Sequence, residues 1–453
     1  MREHAVVIGG SIAGLCAARV LSDFYDGVTV FERDDLPSTP TNRATVPQDR
    51  HVHLLMARGA MEFDGLFPGL LEDMVAAGVP ILENRPDCIY FGAAGHLLGT
   101  EHRLRKEFTA YVPSRPHLEW QIRRRVADIP NVSIQRRSVS EPRFDAAAQQ
   151  VTGVLLDSAE QPEVPEFIAA DLVVDAAGRG SRLPAWLEQW GYERPPEDLI
   201  DVGISYATHQ LRIPEGMLAE KVVVCGASRE QPLGLGMLYY EDHTWTCTTF
   251  GVAKVQPPQT FPEIIVLAQK LLPPRFTAAL ERAEPIGEVA FHRFPASRRR
   301  RYDKLDRFPA GIVPFGDAVA SYDPTYGQGM TMTSLQAGHL RRALEAPRGN
   351  LARQLNRATN RTTRPVWLMT AIGDLTFHHA KGREPWWYRP SGRLFDQFLG
   401  AAETDPVLAE WFLRRFSLLD SLYMIPPPSI IGRTIAHNLR LWLGEQRERR
   451  QTD

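Results

Sequence analysis

The sequence predicts an α/β fold with a parallel sheet, an inserted mixed or antiparallel β-sheet and a helical C-terminal region. Three observations lead to this fold class. A short apolar run, a glycine-bearing turn and a helical run follow one another near the N-terminus and again near residue 316. Strand-like alternation fills the middle of the chain, and aromatic-rich helical patterns fill its last part.

Charge and cysteine content narrow the classes of partner. The chain has 453 residues, with 52 Lys and Arg against 54 Asp and Glu, so no long-range field favours nucleic acid or an anionic membrane. No run approaches the roughly 20 apolar residues needed to cross a bilayer, so membrane insertion is not expected. The cysteines lack the paired spacing of a zinc site or disulfide framework, and we expect a cytoplasmic protein. They are Cys16, Cys88, Cys225 and Cys247.

The first element is an apolar strand over residues 4–8, followed by a turn from Gly9 to Gly14 and a helix. A pyrophosphate must approach the amides at such a helix start closely, so side chains there must be small. Gly9 permits the tight turn and Gly14 lets helix and strand pack. Ser11 stands in place of the middle glycine of G-x-G-x-x-G. The alternative is an ordinary tight turn.

A second apolar run, residues 28–31, ends in Glu32. A carboxylate at this distance from the glycine turn suits acceptance of hydrogen bonds from ribose hydroxyls. It argues against a cofactor phosphorylated on that ribose. Together with the turn, Glu32 predicts dinucleotide binding.

The later glycine-bearing segment follows a predicted strand over residues 308–315. It contains Gly316 and Asp317, then a loop over residues 323–331 and a helix over residues 332–344. Unsatisfied amides at the helix start favour negative charge on whatever lies against them.

These two motifs, in this order, resemble those of the FAD-dependent monooxygenases related to para-hydroxybenzoate hydroxylase and squalene epoxidase. The resemblance implies a Rossmann-like FAD-binding domain, in which Asp317 binds the ribityl chain and the loop from Pro324 to Met330 lies beside the isoalloxazine. Residues 43–53 are similar to bacterial polyketide and polyether epoxidases, and residues 115–123 to the helix that lays polar side chains along the flavin.

The motifs and the resemblance together indicate the candidate site residues. The cofactor-binding candidates are Gly9, Ser11, Ala13, Gly14, Glu32, Arg33, Arg43, Arg115, Arg123, Gly316, Asp317, Pro324, Gly327, Gly329, Met330 and Thr331. The catalytic candidates are Pro324, Gly329 and Met330. The amides of Gly329 and Met330 are expected to stabilise the anionic reduced flavin, and Pro324 adds bulk without a donor amide.

A middle motif over residues 175–182 is similar to the family pattern, which often carries Asp directly before the glycine. Here that position is Ala177, and the motif is associated with pyridine-nucleotide contacts. We therefore expect electrons from NAD(P)H either directly or through a separate flavin reductase.

The remaining segments define the expected domains. Residues 1–185 and 300–345 form the FAD-binding domain, with part of the substrate wall in residues 80–112. Residues 186–299 form the substrate-binding β-sheet domain, where Trp245, Cys247 and Thr249 share a face that suits either an apolar substrate wall or core packing. Residues 346–453 form the helical region, whose aromatic residues suit packing better than a lid.

The expected reaction is insertion of one oxygen atom from O2 into an apolar small molecule through a flavin hydroperoxide, as epoxidation or aromatic hydroxylation. The alternatives are a flavin-dependent reductase of prenyl or alkene double bonds and a non-catalytic flavin-binding redox protein. A halogenase is disfavoured because W-x-W-x-I-P is absent from the sequence. No metal site is expected at His51 and His53 or at His378 and His379, and residues 298–301 are expected to be a solvated basic surface.

Overall fold

The computed structural model describes residues 2–43, 45–85, 87–99, 102–157, 165–346, 350–377, 379–383, 386–421, 423 and 425–452, of which residues 47, 48, 389 and 445–452 are described by their backbone only. His378 lies outside the described residues. The described helices contain no segment long and apolar enough to cross a membrane.

The strands are β1 (Arg2–Ile8), β2 (Tyr25–Glu32), β3 (Ile81–Leu82), β4 (Ile89–Ala93), β5 (His96–Leu97), β6 (Ala110–Tyr111), β7 (Val132–Arg136), β8 (Val139–Asp145), β9 (Gln150–Leu156), β10 (Glu166–Ala169), β11 (Leu172–Asp175), β12 (Glu197–Asp201), β13 (Ile204–Arg212), β14 (Val222–Cys225), β15 (Leu233–Tyr239), β16 (Trp245–Gly251), β17 (Glu284–Phe294), β18 (Ser297–Arg300), β19 (Ile312–Pro314), β20 (Ala320–Ser321) and β21 (Lys381–Gly382).

The α-helices are α1 (Ile12–Leu21), α2 (Ala57–Leu66), α3 (Leu70–Ala76), α4 (Arg115–Ala127), α5 (Leu183–Gln189), α6 (Phe261–Leu271), α7 (Pro274–Glu281), α8 (Gly329–Glu345), α9 (Leu351–Asp374), α10 (Tyr388–Ala402), α11 (Pro406–Phe416) and α12 (Pro428–Thr452). Short 3-10 helices span Pro47–Arg50, Gly178–Gly180, Tyr302–Lys304, Gly316–Ala318 and Pro324–Tyr326.

The predicted parallel sheet is confirmed. Its order is β19-β11-β1-β2-β7, and every neighbouring pair is parallel. The last predicted strand is shorter than expected, because Gly311 has φ +76°, which an extended strand does not accommodate. The strand therefore begins after it, at Ile312.

Both faces of this sheet are covered, as the continuous apolar runs predicted. Ala5 and Val7 of β1 pack into a core with α1, α4 and α8. Val6 and Ile8 alternate to the opposite face and pack with residues of β9 and α5. The glycine turns at the strand ends are thus held by a sheet that is buried on both sides.

The second large sheet has the order β17-β13-β16-β15-β14-β4-β5. It is antiparallel except for the parallel pair of β14 and β4, so the predicted mixed or antiparallel sheet is confirmed. The predicted hairpin forms β15 and β16, and His243 in its turn has φ +61°.

Of the two alternatives for the face of β16 that carries Trp245 and Cys247, the structure agrees with core packing. Trp245 and Cys247 are buried in a core with residues of α6 and α7. Thr248 and Phe250 line the large cavity instead. Every residue of β16 is buried, so polarity could not distinguish the cavity face from the helix face.

The prediction of a solvated basic surface at residues 298–301 is wrong in part. Arg299 and Arg300 are 7% and 5% exposed. Arg299 pairs with Asp198 at 2.6 Å and Arg300 with Glu197 at 3.2 Å, because β18 lies antiparallel to β12. The strand partner supplies the carboxylates that let these arginines be buried.

Candidate functional site

The first glycine turn joins the end of β1 to the start of α1. Gly9 has φ +103°, a conformation that side chains other than glycine rarely adopt. A Cβ added at Gly14 would lie 1.8 Å from the carbonyl oxygen of Gly9. Ser11 precedes the helix in an extended conformation and makes no side-chain cap, so the amides at the helix start are available to an anionic group.

Glu32, at the end of β2, is 6% exposed and belongs to a cluster of buried charges. Its Oε2 accepts from the Gly10 N–H at 2.8 Å and pairs with Arg43 Nη2 at 3.1 Å. Arg43 also donates to Asp34 at 3.0 Å and to Glu119 at 2.9 Å. Burial opposes the charge of Arg43, yet Glu119 and Glu32 raise its pKa above the ordinary value. Carboxylates therefore offset its positive charge, while its Nε has no hydrogen-bond partner in the described part of the chain.

Arg115 begins α4 and extends this paired network. It forms an ion pair with Asp49 and a second with Glu119 Oε2 at 3.2 Å. Its side chain lines the cavity. Its position is therefore set by two carboxylates before any ligand binds.

The second glycine turn lies against the first. Gly316 has φ +63°, and its N–H donates to Gln336 Oε1 at 2.8 Å. A Cβ on Gly316 would lie 2.7 Å from the Cβ of Ala13. The neighbouring Asp317 lines the cavity, and burial raises its pKa while Arg179 and Arg115 lower it. Two turns that are distant in the sequence therefore converge on one site.

The loop before α8 completes this side of the cavity. Asp323 accepts from the Thr325 N–H at 2.8 Å, and Gly327 adopts φ +66°. The start of α8 has no side-chain cap, and a Cβ on Gly329 would meet nothing within 4 Å. The helix start therefore presents open amides to the cavity.

Most of the predicted residues are brought together around one cavity of about 1900 Å³. Those that line it are Gly9, Ser11, Ala13, Glu32, Arg33, Arg43, Arg115, Asp317, Pro324, Gly327, Gly329 and Met330. Those that do not line it are Gly14, Arg123, Gly316 and Thr331.

Two of the latter have buried side chains that contact other parts of the protein. Arg123 is 8% exposed and donates to the carbonyl of Pro37, in the segment after β2. Thr331 is fully buried, and a Cβ on Gly59 of α2 would lie 2.5 Å from its Oγ1. Their predicted contact with the cofactor stays a prediction.

The residues present fit an FAD molecule. The helix starts of α1 and α8 open onto the same cavity, and at the first of these turns Gly9 and Gly14 leave no room for side chains. Asp317 is a partly buried carboxylate that lines the same cavity. Helix amides suit the pyrophosphate, and an aligned carboxylate suits polyol hydroxyls.

Several lining residues were not predicted as site residues. His51 lies 2.7 Å from Thr208 Oγ1 through its Nδ1, and its ring is 5.7 Å from Tyr206 and 5.9 Å from His292. Burial, then the neighbouring His53 and His292, lower the pKa of His51 to about 3, so it is neutral at pH 7. No sequence signal connects these residues, since they meet only across strands.

One part of the cavity wall is apolar. Phe250 contributes from the large sheet, and Phe395, Leu399 and Phe412 contribute from α10 and α11. The last three also belong to the core of the C-terminal helices, or pack against it. The helical region therefore both packs and lines the cavity. Among the described residues, no group of three His, Cys, Asp or Glu side chains could hold a metal ion.

Comparison with known proteins places this geometry in context. The chain is 74% identical to Protein Rv3254 of Mycobacterium tuberculosis over 99% of this chain and 97% of that protein. It is 26% identical to kynurenine 3-monooxygenase of Salinispora arenicola over 73% of this chain and 69% of that protein. A family model described as the Mycobacterium Rv3254 C-terminal domain matches residues 382–448.

Solved structures share the fold at low identity. The flavin-dependent brominase Bmp2 matches with a TM-score of 0.63 at 15% identity, covering 96% of this chain and 99% of that one. The p-nitrophenol 4-monooxygenase PnpA from Pseudomonas putida matches with a TM-score of 0.58 at 17% identity, covering 92% and 99%. The chain belongs to the family of the mycobacterial protein Rv3254 and has the fold of the FAD-dependent monooxygenases related to para-hydroxybenzoate hydroxylase.

Proposed function

We propose that this protein is an FAD-dependent monooxygenase that transfers one oxygen atom from O2 to a small organic substrate. The observation that carries the proposal is the contact of the two glycine turns, where a Cβ on Gly316 would lie 2.7 Å from Ala13. That contact joins the helix start of α1, the carboxylate of Asp317 and the helix start of α8 in one cavity. The shared fold of flavin monooxygenases supports it.

Residues 1–185 and 300–345 would hold the cofactor, and FAD when bound supplies the redox chemistry. The start of α1 would bind the pyrophosphate, Glu32 the adenosine ribose and Asp317 the ribityl hydroxyls. The amides of Gly329 and Met330 would favour negative charge on the reduced ring. Pro324 adds no N–H donor beside the reacting atoms, which limits stray protonation.

The lining supports a substrate with a mainly apolar body. Phe250, Phe395 and Phe412 present aromatic surface from two sides of the cavity, on the large sheet and on the C-terminal helices. Burial of such surface favours a hydrophobic ligand. Epoxidation and aromatic hydroxylation both suit this wall. NAD(P)H would supply electrons directly or through a separate reductase.

The test begins with flavin retention. We expect the purified wild type to hold FAD and Asp317→Ala to purify mostly colourless, because a ribityl contact is lost while the turn remains. Absorbance of released flavin per mole of protein measures this. An Asp317→Ala protein with full FAD content would contradict the ribityl role.

The reaction itself is tested with isotopically labelled O2 and NAD(P)H, with and without an added flavin reductase, on a panel of lipophilic alkenes and phenols. Mass spectrometry should find one labelled oxygen atom in the product. Product formed equally without O2 would identify a double-bond reductase. Stable yellow protein that consumes no nicotinamide with any substrate would identify a flavin-binding redox protein.

A further inference from the structure

Two buried carboxyl groups, here called the carboxyl pair, lie where the loop after β20 meets the end of α9. Asp323 is 2% exposed and Asp374 is 1% exposed, and both line the large cavity. Asp323 immediately precedes the 3-10 helix Pro324–Tyr326, and Asp374 is the last residue of α9. The pair therefore lies next to the loop assigned to the flavin ring.

The pair is only partly satisfied by the protein. Asp323 Oδ1 accepts from the N–H and Oγ1 of Thr325, at 2.8 Å and 2.6 Å. Asp374 Oδ1 accepts from the Tyr326 hydroxyl at 3.0 Å. Asp374 Oδ2 is buried and meets no donor other than the carboxyl group of Asp323, with which it can share a proton, in the described part of the chain. Two buried carboxyl groups that can satisfy each other only by sharing a proton suit a ligand that brings both a donor and a positive charge.

A second kind of acceptor points to the same ligand. Gln328 is 1% exposed and lines the cavity, and its Oε1 has no partner among the residues that the structure describes. The hydroxyl of Tyr206, which also lines the cavity, is likewise unpartnered there. Carboxylate and amide oxygens only accept. The missing group must therefore be rich in donors.

The charge environment distinguishes a cation from a neutral donor. Burial raises the pKa of Asp374 well above its ordinary value, and Asp323 raises it further. Burial also raises the pKa of Asp323, although Thr325 lowers it. The other titratable groups near the pair are Tyr206, Tyr326 and, beyond Tyr326, Tyr388. Among the described residues, no positively charged side chain contributes to the pKa of either carboxyl group. Each carboxyl group of the pair is therefore harder to ionise than an ordinary aspartate.

We propose that this part of the cavity is a subsite for a protonated primary amine of the substrate, whose N–H groups donate to Asp374, Asp323 and Gln328. The inference rests on the proposed function and deepens it by naming a substrate class. That class is an organic molecule with an apolar body and an ammonium group.

An ammonium group suits the subsite better than a hydroxyl for two reasons. It carries three donors, which matches acceptor oxygens from three side chains, whereas a hydroxyl carries one. It also brings a positive charge, which allows both carboxyl groups to ionise together. Binding of an amine should consequently favour release of a proton from the pair, and binding of an alcohol should not.

The test uses the FAD-loaded protein and two probes of similar size, 2-phenylethylamine and 2-phenylethanol. Isothermal titration calorimetry at pH 7, in buffers of different ionisation enthalpy, gives both affinity and proton release. We expect the amine to bind roughly 10- to 100-fold more tightly than the alcohol, with release of a proton. Equal affinities, or amine binding without proton release, would overturn the proposal.

Matched variants localise the effect. Asp374→Asn should remove the preference for the amine and the proton release, and Asp323→Asn provides a second test if the first variant does not fold. Asp396→Asn is the control, because Asp396 also lines the cavity but is exposed and pairs with His96 at 3.1 Å. Unchanged amine binding in both folded pair variants, or equal loss in the control, would refute the assignment.

These measurements require no turnover, so the two proposals fail separately. If the amine binds as expected but no labelled oxygen enters any amine-bearing substrate, the monooxygenase function is wrong and the subsite stands. If labelled oxygen enters lipophilic substrates while the amine binds no better than the alcohol, the subsite is wrong and the function stands.

Discussion

The two charged regions of the cavity are built in opposite ways. Around Arg43, each buried charge has a partner, with Glu32, Asp34 and Glu119 within 3.1 Å of the guanidinium. Around Asp374, two buried carboxyl groups meet and no described cation offsets them. The pKa of both groups is raised, with opposite consequences for charge. A raised pKa keeps Arg43 positively charged, whereas it favours the neutral form of Asp374.

This difference indicates that the cluster around Arg43 is preorganised, whereas the charge of the carboxyl pair depends on a ligand. A matched cluster needs no ligand to offset its buried charges, and removing one member leaves the others unpaired. An unmatched carboxyl pair can change its protonation when a charged group arrives. Four substitutions break or sharpen this contrast, in order of decreasing effect.

Arg43→Ala should disrupt the matched region, which is the cluster of Arg43 with Glu32, Asp34 and Glu119. It leaves buried carboxylates without a counter-charge, and we expect the free energy of unfolding to fall by about 3–5 kcal/mol. Chemical denaturation measures the change. Arg136→Ala is the control, because the pair of Arg136 with Asp35 is exposed and should contribute only about 0–1 kcal/mol. Similar losses in both variants would show that the cluster is not specially stabilising.

Gly14→Ala should disturb the same region through shape rather than charge. The added Cβ would lie 1.8 Å from the Gly9 carbonyl, so the turn must open. An open turn displaces the amides that would hold the pyrophosphate, and a loss of about 3 kcal/mol in binding free energy corresponds to FAD binding weakened on the order of 100-fold. Flavin fluorescence titration of the apoprotein measures it. In Gly65→Ala the new Cβ meets nothing within 4 Å, and FAD affinity should be unchanged.

Asp374→Asn should reveal the unmatched region in the pH dependence of stability. The pKa of Asp374 is higher in the folded state than in the unfolded state. The protonated side chain therefore contributes fully to folding stability below the ordinary pKa of about 3.9, and this contribution is lost as pH rises through the folded-state pKa. The wild type should therefore lose more stability than the variant as pH rises from 4 toward 9. Melting temperatures across that range check this. Parallel curves would contradict it.

His51→Asn should give the smallest effect and the opposite sign. Burial lowers the pKa of His51 to about 3, so its contribution is present above about 6.5 and is lost as pH falls. The wild type should lose stability between pH 7 and 5, and the variant should lose less over that window. Melting temperatures at pH 7 and pH 5 measure this difference. An equal loss of stability in both proteins would contradict a neutral, half-buried imidazole at His51.

The first glycine turn and Glu32 could be predicted from the sequence because their signals are local, whereas the ion pairs of Arg43 could not. Gly9, Gly14 and Glu32 lie in one strand, turn, helix and strand unit, and the geometry of that unit follows from residue type and spacing. The same holds for Gly316 and Asp317. The prediction that both turns would converge drew on the resemblance, and the contact of Gly316 with Ala13 agrees with it.

The unmatched region could not be predicted, because it exists only in three dimensions. Asp374 ends a 24-residue helix that carries no motif, and it meets Asp323 only through folding. The cavity face of β16 was missed for a related reason, since Trp245 and Phe250 are both buried aromatics. Arg299 and Arg300 were misjudged because their carboxylate partners lie on another strand.

The C-terminal helices have a consequence for how ligand choice is divided along the chain. Phe395 and Phe412 supply one side of the cavity, and they fall within the segment that matches the Rv3254 C-terminal model. The glycine turns lie entirely outside that segment. Exchanging this C-terminal segment between relatives should therefore change which ligands the cavity accepts, while leaving the two glycine turns unchanged.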